Sequence, residues 1–178
     1  IGKIHLPTFL QQKLEEREGI VIEIPHEVVE VTSYSGLPDN SISEEELKNL
    51  TSPHRLDPSM GINIGVHHGA HFFTIGQRKG INIGGYKEPL FVIGIDTEKN
   101  ILYVGEGQSH PGLYRKGLFI NKDDIHWVRP DLAMSEGENR EYMVRIRHRQ
   151  PLQKAMLYSR HDGMYIIFNK LQRGITPG

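Results

Sequence analysis

No cysteine occurs anywhere in the 178 residues. That absence excludes a disulfide framework, a thiolate-ligated metal and a thiol nucleophile from this chain. No apolar run approaches the roughly 18 residues that a membrane-spanning helix needs. The opening stretch IGKIHLPTF lacks the apolar centre of a secretory signal, so the reading is a soluble, cytoplasmic protein with no membrane partner. Low-complexity tracts are missing as well, and a hydrophobic content of 37% with 24% charged residues is in the globular range. A chain of this length can bury roughly two-thirds of its unfolded surface, enough for one domain or two small ones.

Net charge is also nearly absent, at −1, but it is unevenly spread. Residues 1–70 carry five Lys/Arg against eleven Asp/Glu, whereas residues 71–178 carry sixteen against eleven. The balance is therefore −6 in the first part and +5 in the second. A basic half is the electrostatic footprint expected of a polyanion partner, and also that of an ordinary solvated face.

What is present reads mostly as strands. LPTFLQQKLEEREG puts Pro7 in a first helical turn, Phe9, Leu10 and Leu14 on one stripe and Gly19 at a stop, which predicts one docking helix over residues 6–19. IVIEIP and EVVEVTS are β-branched runs of strand length separated by Pro25. A polar, proline-punctuated connection follows, with one helical turn opened by a capping box of Ser43 and Glu46. LFVIGIDTEKNILYVGE reads as a hairpin. GLFI, IHWV, EYMVRIRHR, KAMLYSR and MYIIF then recur as short strands, the pattern of a small barrel or sandwich. Pro and Gly in GQSHPGLYRKG place a boundary there, giving domains of residues 1–112 and 113–178.

Several chemistries fail on spacing. GQRKGINIGG is not a phosphate loop of the G-x-x-x-x-G-K-[ST] type, because Lys79 precedes Gly80 and no hydroxyl follows. GEGQSH holds Gly105 and Gly107 but has His110 where a dinucleotide fingerprint needs its third glycine. A G-x-S-x-G nucleophile elbow does not occur. HHGAH sets His67 and His71 at a zinc-like spacing with His68 beside them, but it lacks the glutamate of H-E-x-x-H.

Two basic stretches survive. The first is a glycine-rich turn with Gln77, Arg78, Lys79 and Gly80 at its tip, rich in backbone N–H groups that can receive a phosphate or a carboxylate. The second is VRIRHRQ. As an extended strand it would align Arg145, Arg147 and Arg149 on one face about 7 Å apart, near the spacing of successive phosphates.

FTIGQRKGINIGG, YVGEGQSHPGLY, IHWV, RIRHRQP and QRGITPG, in this order, resemble blocks from the later part of the tRNA-specific 2-thiouridylases, the MnmA or TrmU family. The opening IGKIHLPTFLQQKL is similar to the start of that family's central domain, and residues 33–63 have no counterpart. The resemblance implies a mainly β fold with one or two helices: a mixed α/β central domain, then a small antiparallel β-barrel resembling the second domain of elongation factors.

It further implies a parent enzyme that uses ATP to adenylate the C2 oxygen of the wobble uridine. Sulfur then arrives from a cysteine persulfide, supplied by a sulfur-carrier protein, in tRNAs for Lys, Glu and Gln. ATP and Mg²⁺ would belong to an N-terminal domain absent here, and the family's second cysteine would fall two residues before Ile1. The expectation is that the chain is cut at both ends, binds no cofactor or metal itself and is inactive alone. Arg145, Arg147, His148, Arg149 and Gln150 match a block, usually R-Y-R-Q, that holds tRNA, with His148 in place of tyrosine. Residues 77–80 would form a basic turn supporting the active site, by touching RNA or by holding the cysteine loop. Some family members carry a methyltransferase label, but no methyl-donor site is evident. The competing readings are a stand-alone RNA-binding β-barrel module and a metal-dependent hydrolase using His67, His68 and His71.

Overall fold

The computed structural model describes residues 17–30, 35–39 and 41–176. The helix expected over residues 6–19 falls almost wholly outside that set, and Gly19 opens the first strand instead of closing a helix. No helix among the described residues is long and apolar enough to cross a membrane. The chain divides into two compact units, Ile1–Glu30 with His54–Leu113, and Val31–Pro53 with Tyr114–Ile175. Val31–Pro53, which lies within the expected first domain of residues 1–112, groups with the second unit.

The first unit is built on β1 (Gly19–Glu23), β2 (Ile62–His67), β3 (Leu90–Asp96) and β4 (Ile101–Glu106) in the order β2-β1-β4-β3. β1 runs antiparallel to β2 and parallel to β4, and β3 and β4 form the expected hairpin. One face carries a core of Val21, Leu90, Val92, Leu102 and Val104, completed by Ile81 from the loop after β2. At the hairpin turn, Asn100 sits at φ 57° and is nearly buried. Its Oδ1 accepts from the Ala70 amide and its Nδ2 donates to the Arg17 carbonyl, each at 2.9 Å. A Cβ on Gly19 would lie 2.1 Å from the Asn100 carbonyl oxygen, so only glycine fits there. EVVEVTS does not begin a strand. After Pro25, residues His26–Val28 form a 3-10 turn closed by the Val28 amide on the Pro25 carbonyl, and both edges of β1 are already taken.

The second unit holds β5 (Tyr114–Asn121), β6 (Asn139–Val144), β7 (Gln153–Arg160) and β8 (Gly163–Arg173), all antiparallel, in the order β5-β8-β7-β6. Side chains alternate between its faces, as a pleated strand requires. Ala155, Leu157, Met164 and Phe168 face one core with Met134 and Ile175. Tyr158, Tyr165 and Ile167 face another, covered by Leu47 of α1 (Glu44–Thr51). The predicted capping box opens α1: the Glu46 amide donates to Ser43 Oγ at 3.2 Å, and the Ser43 amide donates to Glu46 Oε2 at 3.1 Å. At its other end the Arg115 guanidinium donates to the Thr51 carbonyl, where a cation also complements the helix dipole. IHWV is not a strand. Residues 125–128 are irregular, with Ile125 and Trp127 packed against the first of these cores.

Candidate nucleic-acid interface

The turn at residues 77–80 is fixed from below by apolar anchors and from beside by the sheet. Phe73, Ile75 and Ile83 pack with Ile81 on the first unit's core. The Gly76 amide donates to the Val92 carbonyl at 2.7 Å and the Val92 amide to the Gln77 carbonyl at 2.9 Å, so the loop continues the edge of β3. Gln77 ties the tip together: its Oε1 accepts from the Thr74 amide at 3.1 Å and its Nε2 donates to the Lys79 carbonyl at 2.7 Å. Positive φ at Gly76, Gly80 and Asn82 lets the chain reverse. Arg78 and Lys79 are exposed at the tip, and their side chains have no partner among the described residues.

In the second unit the expected arginine ladder is replaced by a reverse turn. β6 ends at Val144, paired with Gln153. Continuing that register would set Ile146 against Pro151, which has no N–H to donate. Instead residues 147–150 form the turn of the β6–β7 hairpin, closed by the Gln150 amide on the Arg147 carbonyl at 3.0 Å. The Arg147 guanidinium donates to the carbonyls of Arg173 and Gly174, and Gln150 Nε2 donates to Gln172 Oε1 at 2.6 Å. Both ends of the turn are thereby tied to the end of β8. Arg145 Nη1 donates to the His148 carbonyl at 3.1 Å. His148 and Arg149, at the turn's two central positions, are exposed, and their side chains have no partner among the described residues. Each unit therefore presents a stapled loop with two basic or imidazole groups at its tip. The five residues 145, 147, 148, 149 and 150 are brought together, and of these the His148 and Arg149 side chains are the two that make no bond among the described residues.

Of the histidines read as candidate zinc ligands, His67 is engaged by the backbone at both ring nitrogens. His67 is 4% exposed, accepts from the Gly69 amide at Nδ1 (3.0 Å) and donates from Nε2 to the Asn100 carbonyl (3.2 Å). His110 is fully buried and repeats the arrangement: the Gly112 amide donates to Nδ1 at 3.1 Å and Nε2 donates to the Ile24 carbonyl at 2.9 Å. The shared signal, missed in the sequence, is His-x-Gly. With both ring nitrogens engaged by backbone, His67 has no lone pair for a metal.

Burial is the main cause that holds both imidazoles below their ordinary pKa, outweighing the carbonyl bonds that favour the charged form. The unfolded chain therefore takes up these protons first as pH falls below about 6.5. The stability they contribute is complete above that value and is lost toward their lower folded values. Melting temperature is expected to be level from neutral pH upward and to fall on acidification below about 6.5. Replacing His67 or His110 should flatten that fall, whereas an unchanged acid limb in both variants would show that the carboxylates cause it.

Comparison with known proteins agrees with this division. Residues 54–106 match the tRNA methyl transferase PRC-barrel domain, and residues 118–178 match the aminomethyltransferase beta-barrel domain. Over the whole chain, 48% of residues are identical to a protein of Flavobacterium johnsoniae named tRNA-specific 2-thiouridylase MnmA. Proteins of the same name from Christiangramia forsetii and Shouchella clausii are 47% and 34% identical, again over the whole chain. The chain belongs to the tRNA-specific 2-thiouridylase family. It spans 45% of the Flavobacterium and Christiangramia proteins and 49% of the Shouchella one. For this 2-thiouridylase-family chain the fold is mainly β, as read from the sequence. The blocks that carried the resemblance also hold His110 and the two stapled turns.

Proposed function

We propose that this chain is the tRNA-holding and active-site-supporting part of an ATP-dependent enzyme that converts the wobble uridine of tRNA to 2-thiouridine in the cytoplasm. The observation that carries this reading is the pair of stapled loops, each presenting exposed groups suited to phosphate: Arg78 with Lys79, and Arg149 with His148. Rigid loops offer cations to a polyanion at little ordering cost, and phosphate contacts fix register and orientation without reading sequence. The His148 imidazole can donate to a phosphate or stack on an unpaired base, a lesser version of the tyrosine contact.

The chemistry of sulfur transfer lies elsewhere in this reading. With no cysteine in the chain, the persulfide, ATP and Mg²⁺ belong to a further part of the parent enzyme, as does the contact with a sulfur-carrier protein. The tRNAs for Lys, Glu and Gln are the substrates proposed from the resemblance.

The test is the salt dependence of tRNA binding by the purified chain. Arg149→Ala, and separately Lys79→Ala, is expected to reduce the slope of log affinity against log salt by about 0.9 for B-DNA-like contacts, or about 0.7 for single strands. Neither should alter melting temperature. Arg147→Ala should lower melting temperature, because its guanidinium holds the Arg173 and Gly174 carbonyls. The reading fails if the chain shows no salt-dependent tRNA affinity, or if both tip variants keep the parent slope. With ATP, sulfide and tRNA, the same preparation should form no 2-thiouridine.

A further inference from the structure

The loop that leaves β2 runs HHGAHFF before it reaches the basic turn. Ala70–Phe72 form a 3-10 turn, closed by the Phe72 amide on the Gly69 carbonyl at 3.2 Å and the Phe73 amide on the Ala70 carbonyl at 3.1 Å. The Ala70 amide is held in turn by Asn100 Oδ1 at 2.9 Å. Gly69 sits at φ 136°, and a Cβ there would lie 2.9 Å from His71 Cε1 and from Phe72 Cδ2 and Cε2. Only glycine adopts that conformation freely, and its bare Cα is what lets both rings lie against the chain. The rings meet with centroids 4.0 Å apart at 53°. Phe72 is half-buried, whereas His71 is exposed and makes no hydrogen bond among the described residues. The imidazole is therefore held by ring contact, with its remaining surface in solvent.

The basic tip supplies an independent observation. The Gln77 amide donates to the Thr74 carbonyl at 2.9 Å, and the Thr74 amide donates to Gln77 Oε1 at 3.1 Å. A closed turn keeps its first and fourth Cα within about 7 Å and each residue adds about 3.8 Å, so Phe72 lies within roughly 15 Å of Gln77. Arg78 and Lys79 follow directly, exposed and with side chains that have no partner among the described residues. Unpaired cations beside an aromatic surface are the two parts of a single-strand site, in which the cations track the backbone and the ring takes a base. A double helix could use the cations alone, because its bases have no open face.

We infer that His71, backed by Phe72 and the bare Gly69, is a platform on which one unpaired base of a bound RNA stacks, while Arg78 and Lys79 hold phosphates of the same strand. The inference rests on the reading that the chain holds RNA, and it adds that the first unit engages a single-stranded stretch. Every base has a π-face, so the platform selects for being unpaired and not for sequence. Its backbone is already fixed, so little ordering cost falls on binding.

The test measures binding of the purified chain to a short uridine-rich RNA strand, to the same strand annealed to its complement, and to tRNA, each across a range of salt. His71→Ala should weaken single-strand binding about five- to hundredfold, the scale of one base stacked on an aromatic ring. The slope of log affinity against log salt should stay as in the parent, because no phosphate contact is lost. Duplex binding should change by less than about twofold, since it draws on phosphate contacts alone. His71→Phe should keep the single-strand affinity, and His71→Lys should not. His71 is exposed, so none of these variants should alter melting temperature. Unchanged single-strand affinity in His71→Ala, or an equal loss with the duplex, would overturn the inference. So would a lowered salt slope rescued by lysine and not by phenylalanine, which would make His71 a phosphate contact. If Lys79→Ala lowers the tRNA slope while His71→Ala is inert, the tRNA-holding reading stands and the platform falls. Single-strand binding through His71 by a chain that does not hold tRNA would do the reverse.

Discussion

His110→Phe is expected to lower the melting temperature by about 10 °C, a loss of roughly 3 kcal/mol in a chain of this size. Phenylalanine keeps an aromatic ring, somewhat larger, and removes both ring nitrogens, so two buried backbone groups are orphaned and the site is slightly overpacked. The Ile24 carbonyl loses its donor and the Gly112 amide loses its acceptor, with both bonds near 3 Å in the parent. Each unsatisfied buried group costs about 1–3 kcal/mol. The ring also fills the space above Gly105, where a Cβ would lie 2.5 Å from its Cδ2, so Gly105→Ala should be destabilising too. His110→Asn is the informative second variant, because a side-chain amide can satisfy one of the two groups. Thermal unfolding checks this, and a change of less than about 2 °C in His110→Phe would show that water reaches both backbone groups.

The same histidine shows how far the sequence could be read. Its block, YVGEGQSHPGLY, was legible as a family signature, but the residue's role was not. Nothing in a linear motif says that Nε2 will meet Ile24, 86 positions earlier. Local signals fared better. The hairpin at residues 90–106, the short strands KAMLYSR and MYIIF and the capping box at Ser43 depend on neighbouring residues, and all three formed. Readings failed where pairing depended on a distant partner. VRIRHRQ has strand character, but its register would run onto Pro151, so the chain turns and the arginines part company. IHWV has strand propensity and hydrophobic content, yet it is used to cover a core and not to extend a sheet. EVVEVTS follows a strand with neighbours on both edges, which left its described residues no place in that sheet. The basic tip at residues 78–79 was found by composition alone. The staples that make it rigid, from Gln77 and Val92, came only from the fold.

The segment of residues 33–63, which had no counterpart in the resemblance, carries the other large expected effect. Leu47→Ala should destabilise the second unit by about 3 kcal/mol, within the 2–5 kcal/mol usual for such truncations. Leu47 is fully buried and is the residue through which α1 meets Tyr158, Tyr165 and Ile167 on the sheet. Those side chains cannot collapse readily into the space left behind, because the two tyrosines are held at their hydroxyls. Tyr158 donates toward the Pro38 and Asp39 carbonyls at 3.2 Å, and Tyr165 donates to Asp162 Oδ2 at 2.6 Å. The helix itself is short at eight residues, far below the 12–15 or so that hold together in isolation. Removing its one fully buried apolar anchor should therefore loosen the whole segment from Gly36 to Thr51 and not only the site of substitution. Asn49→Ala, on the exposed side of the same helix, should change stability by less than about 0.5 kcal/mol. Amide hydrogen exchange separates the outcomes. In Leu47→Ala protection should fall across α1, β7 and β8, while the amides of β1, β3 and β4 in the other unit keep their rates. Equal losses in both units, or a cost below about 1 kcal/mol, would mean that α1 is a decoration on the barrel sheet and not the outer layer of its core.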